Sequence, residues 1–134
     1  MKRDVKITVV GTQNAGGSSD TVEITTMGTY EKTADGLRLV YNEMLDENTT
    51  VKTVFTVKGQ LVNINRKGEF ATNMMIQNGK RHHCHYRTPY GDMLMGTYGE
   101  ALTIDEGKIS LEYTLDSNAS LLSRNSVEIS YIFE

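Results

Sequence analysis

The sequence predicts an all-β fold, a single antiparallel up-and-down β-barrel of about eight to ten strands, and three observations predict it. Apolar and polar residues alternate over much of the chain, glycines recur at the spacing of hairpin turns, and 134 residues include one proline. Period two places every second side chain on a buried face. The length suits one sizeable core and not two ordinary domains, so residues 1–134 are read as one domain. With 38% hydrophobic and 23% charged residues the chain has a globular composition, and no apolar run approaches a membrane span.

The first alternation, Val5, Ile7 and Val9, starts without a long apolar signal region before it. Asn14-Ala15-Gly16-Gly17-Ser18-Ser19 reads as one flexible loop, after which Val22 and Ile24 begin a second strand. Leu37, Leu39 and Tyr41 mark a third, and Val51, Thr53, Phe55 and Val57 a fourth. Near the other end, Ile109, Leu111, Tyr113 and Leu115 alternate, as do Val127, Ile129, Tyr131 and Phe133. Turn glycines stand at Gly59, Gly68, Gly79, Gly91, Gly99 and Gly107, in steps of 9, 11, 12, 8 and 8 residues, which leaves no room for parallel βαβ units.

Register in the middle of the chain follows from matching apolar residues. A three-residue loop at Arg66-Lys67-Gly68 aligns Val62 and Ile64 with Phe70, Thr72, Met74 and Ile76, whereas a two-residue turn would send half of these to the polar side. The same loop type at Gln77-Asn78-Gly79 places His82, Cys84, Tyr86 and Thr88 beside Met74 and Ile76. It also turns Arg81, His83, His85 and Arg87 to water, avoiding the cost of burying four cationic or titratable groups. Asn-Gly suits a two-residue turn as well. So many strands in a small domain leave costly edges unless the sheet curls onto itself, which favours a barrel over the alternative two-sheet sandwich.

The formal net charge of −3 argues against a protein that mainly grips nucleic acid or an anionic membrane. The basic run Lys80–Arg87 reads as a solvated strand face. Cys84 is the one cysteine, so no internal disulfide calls for an oxidising compartment, and the cytoplasm is the expected location. No P-loop, dinucleotide-binding, zinc-protease or serine-hydrolase signature occurs, and nothing calls for a cofactor.

Several short motifs run in order along the chain: Gly11-Thr12-Gln13, Tyr41-Asn42-Glu43, Arg66-Lys67-Gly68-Glu69, Thr88-Pro89-Tyr90-Gly91 and Leu111-Glu112-Tyr113. In that order and spacing the chain resembles the YwiB-like family of bacterial proteins of unknown function nearly end to end. The resemblance implies a calycin-like, lipocalin-type barrel in a bacterial cytosol and brings no established reaction.

Candidate site residues come from polar groups set in apolar alternations. Tyr41 and Glu43 share a face with Leu37 and Leu39, which brings a carboxylate to the barrel mouth as a ligand anchor or as half of an ion pair plugging one end. Arg66 has the forked donors to hold a carboxylate, against the plainer reading of a rim salt bridge to Glu69. His82, Tyr86, Thr88 and Tyr90 complete the cavity or rim candidates. Met74, His82 and Cys84 offer thioether, imidazole and thiol to a soft metal, although Met and Cys are common core fillers and no Cys-x-x-Cys pair exists. The expected function is binding of a small, amphipathic, anionic molecule in the cavity, without catalysis. The competing reading is a regulatory or protein-interaction barrel filled by its own side chains.

Overall fold

The structure, a computed structural model, describes residues 2–44, 50–67, 71–88, 91–117 and 120–134. They form ten strands: β1 (Lys2–Ala15), β2 (Ser18–Lys32), β3 (Gly36–Met44), β4 (Thr50–Lys58), β5 (Leu61–Lys67), β6 (Ala71–Gln77), β7 (Arg81–Thr88), β8 (Gly91–Asp105), β9 (Lys108–Ser117) and β10 (Ser120–Phe133). Each strand pairs antiparallel with its sequence neighbour, and β1 pairs with β10, so the meander closes into the barrel that the alternation predicts. Closure satisfies the backbone groups that an open sheet would leave at two edges.

The inward alternation fills one half of the barrel. Val5, Ile7, Leu39, Val57, Val62, Ile76, Ile109, Leu111 and Ile129 are buried and belong to one core cluster. Tyr30 packs against Tyr131 and Phe133 at centroid distances of 5.3 and 5.1 Å, and Arg3 lies 3.9 Å over the Phe133 ring, adding an aromatic cluster beside this core.

The face assignments in the middle of the chain hold. Val62 pairs with Ile76 and Ile64 with Met74, Cys84 is buried, and His83 and His85 are exposed. Phe70 and the side chain of Arg87 lie outside the described residues. The turns need correction. Arg66 pairs with Thr72, and Arg66 and Lys67 are strand residues instead of loop residues, while Gly68 lies outside the described residues. Lys80 N donates to Gln77 O at 3.1 Å, which makes Asn78-Gly79 a two-residue turn with Gly79 at φ 77°. The offset from Gln77–Lys80 to Thr72–Tyr86 leaves one extra residue in β7, and that residue restores the face lost at the shorter turn.

Two further expectations are overturned. The Asn14–Ser19 loop is the tip of a long hairpin: β1 and β2 stay paired to Ala15 and Ser18, and Gly16-Gly17, at φ 57° and 82°, supply the two positive angles of a tight turn. Gly91 pairs with Thr88 at a positive φ of 132°, in keeping with its reading as a turn glycine, whereas Gly99 lies within β8 beside a bulge between Gly99 and Ala101 and is not one. A Cβ at Gly99 would stand 2.5 Å from Gln77 O, and this close approach of backbones explains the residue.

Among the described residues, β6 and β7 are laddered only at Ala71–Arg87 and Thr72–Tyr86, with a single bridge at Gln77–Lys80. Thr97 of β8 staples the seam between them. Its fully buried hydroxyl donates to Met75 O at 2.6 Å and lies 3.4 Å from His82 O. Thr97→Val keeps the shape and removes the donor, so we expect a loss of about 1–3 kcal/mol. Urea unfolding should show a lower midpoint at unchanged m-value, and an unchanged midpoint would discount the staple.

Candidate functional site

Successive strand pairings place one inward-facing row around half of the barrel: Gly28 on β2, Tyr41 on β3, Thr53 on β4, Arg66 on β5, Thr72 on β6 and Tyr86 on β7. The row begins where the wall parts. β2 and β3 are paired from Lys32–Leu37 to Gly28–Tyr41, whereas Met27, Thr26 and Thr25 make no ladder with Asn42, Glu43 and Met44. A Cβ on Gly28 would collide with Val40 O and stand 2.7 Å from Ile7 Cδ1, so only glycine fits at this divergence.

Above the row, the filled core gives way to a cavity of about 320 Å³. Phe55, Ile64, Val9, Ile24 and Val127 give it an apolar lining, and Tyr41, Glu43, Thr53, Arg66 and Tyr113 give it polar groups. Arg66 Nη2 donates to Glu43 Oε2 at 2.5 Å, with Glu43 15% and Arg66 37% exposed at the side chain. The ion-pair reading of Glu43 is therefore correct, and its partner is Arg66. The expected partner of Arg66, Glu69, lies outside the described residues.

Thr53 is 1% exposed and faces the cavity beside Tyr41 and Arg66. It lies close enough to the Tyr41 phenol to favour that group's ionised form, yet its hydroxyl makes no hydrogen bond of acceptable geometry among the described residues. Such a buried hydroxyl is a donor and acceptor held ready at the cavity wall. Burial, and then the Glu43 charge, raise the Tyr41 phenol far above its ordinary value, while Arg66 opposes them. Burial pushes the Tyr113 phenol up to about 12, with Arg66 again opposing. Both tyrosines therefore stay protonated at neutral pH.

Of the other described candidates, Met74 alone lines this cavity. His82 Nε2 lies 2.9 Å from Gln77 Oε1, a hydrogen bond along the β6–β7 seam. Met74 lines the cavity, whereas Cys84 lines a neighbouring cleft that shares Arg66 with it and is bordered by Thr72, His83 and His85. Among the described residues no cluster of three His, Cys, Asp or Glu side chains is placed to hold a metal ion. Tyr86 occupies the row without lining the cavity, and Tyr90 and the side chain of Thr88 lie outside the described residues.

Outside the barrel, Arg81 forms a two-pronged pair with Asp116, Nε to Oδ2 at 3.1 Å and Nη2 to Oδ1 at 2.5 Å. The pair crosses over Gly96, where a Cβ would meet both side chains. Sequence reasoning missed this clasp, and it missed Thr53 and Tyr113 as site residues. Tyr113 carries the signal that singled out Tyr41, a hydroxyl within an apolar alternation.

Residues 7–129 match the family described as "Domain of unknown function (DUF1934)". The chain belongs to the DUF1934 family. The YwiB-like resemblance agrees with the solved structures: this DUF1934 chain is similar to the crystal structure of ywiB protein from Bacillus subtilis, with a TM-score of 0.77 at 20% identity. That likeness covers 96% of this chain and 92% of the other, and at such identity it speaks for the fold. No curated protein matches the chain. No helix among the described residues is long and apolar enough to cross a membrane.

Proposed function

We propose that the barrel is a non-catalytic binder of a small amphipathic molecule with an anionic head, acting in the cytoplasm in the manner of a calycin. One observation carries this reading: the half-open, mostly apolar cavity contains a guanidinium and a buried hydroxyl that, among the described residues, has no hydrogen bond of acceptable geometry. Ligand pockets commonly combine apolar walls with a few placed polar groups. Glu43 engages Nη2 of Arg66, leaving other N–H groups of the guanidinium for a carboxylate. The phenols, held protonated, serve better as hydrogen-bonding groups than as general bases.

The competing reading, an interaction barrel, draws on the exposed Met93, Leu94, Leu121 and Leu122. Binding measurements separate the two. Arg66→Ala should weaken phenylpropanoate by about 1–3 kcal/mol and leave its neutral alcohol, phenylpropanol, nearly unaffected. Equal weakening of both would reassign Arg66 to barrel structure, and no weakening of either would move the site elsewhere. Native mass spectrometry of protein from its own host would reveal a retained ligand directly.

A further inference from the structure

We propose that the ligand of this cavity is a free apolar α-amino acid, its carboxylate held by Arg66 and its ammonium by Glu43. The inference rests on the binding-barrel reading and narrows it. A lone anion beside Arg66 would also stand beside Glu43, because the two opposite charges are only 2.5 Å apart. Arg66 shares its charge with Glu43, so an anionic head held by Arg66 binds better when a cation on the same molecule meets Glu43. A head with a cation and an anion one carbon apart meets the pair charge for charge.

The donors and acceptors fit this head. Glu43 accepts from Arg66 through Oε2, and its Oε1 has no hydrogen-bond partner among the described residues, so it can accept from an ammonium. Arg66 retains N–H groups not used by Glu43, and the Thr53 hydroxyl, 1% exposed and without a hydrogen bond of acceptable geometry among the described residues, can donate to the carboxylate. The apolar side chain of the amino acid would then lie against Phe55, Ile64 and Ile24, in a cavity whose volume of about 320 Å³ suits a small molecule.

The test compares three molecules that share one apolar body: phenylalanine, phenylpropanoate without the ammonium, and phenethylamine without the carboxylate. Calorimetry on the intact protein should rank phenylalanine first, by about ten- to a hundredfold over either analogue, the worth of one charged hydrogen bond. Glu43→Gln should abolish the advantage of phenylalanine over phenylpropanoate, with folding checked by melting. Phenylpropanoate binding as tightly as phenylalanine would overturn the amino-acid inference and leave the anionic binder standing. Binding of none of the three would overturn both.

Discussion

Cys84→Asp should unfold the barrel, whereas His83→Asp, one residue away, should leave its melting within about 0.5 kcal/mol of the parent. Cys84 is 3% exposed, and burial together with the charge of Asp116 already raises its thiol pKa. A carboxylate there would lose its hydration and face the same Asp116 repulsion. The cost, several kcal/mol at least, is comparable to the whole stability of a domain this size, about 5–15 kcal/mol. His83 faces water 3.4 Å from an Arg81 nitrogen, so an aspartate there gains a cation close by. Similar melting curves for the two variants would refute the inward placement of Cys84.

Alkaline pH should destabilise the protein through the two cavity tyrosines. The Tyr113 phenol is raised from its ordinary 10 to about 12 in the folded state, and that of Tyr41 is raised further. A folded pKa above the unfolded one means that the native state holds the proton more tightly. The contribution is therefore complete below about pH 10 and is lost as pH climbs through the folded values. For Tyr113 alone the rise from 10 to about 12 corresponds to about 3 kcal/mol. Unfolding midpoints measured from about pH 8 to about pH 12 should fall steeply in the upper half of that range. The double variant Tyr41→Phe, Tyr113→Phe should show a flatter decline, and an equally steep one would attribute the effect to other groups.

The period-two pattern makes the inner and outer faces legible and leaves the turns ambiguous. Sliding one strand past its neighbour by an even number of residues preserves every face. Val62 and Ile64 therefore shared a side with Met74 and Ile76 in the expected register and in the observed one, although Arg66 and Lys67 belong to β5 and not to the expected loop. The same ambiguity hid the Asn78-Gly79 turn, because one extra residue in β7 compensates for it.

Tyr41 and Glu43 stood out because each is a polar group where its strand's alternation calls for an apolar one, and Arg66 because its forked donors suit an anion. The pairing of Arg66 with Glu43 was not legible, since it depends on a row crossing β3, β4 and β5. Thr53 escaped notice for a related reason: a threonine inside a strand looks like an ordinary β-former until its buried hydroxyl is found at the cavity wall beside Tyr41.

The ring is closed by its first and last strands, and this has a consequence for biosynthesis. While the chain emerges from the ribosome, β1 through β9 can zip hairpin by hairpin, yet β1 and β9 keep open edges until β10 is made. β10 pairs with β1 from Phe133 back to Arg124 and with β9 along most of the same stretch, so one late segment seals both edges. A nascent chain stalled before it would present two unpaired strand edges to other chains, the form most prone to aggregate and most in need of a chaperone.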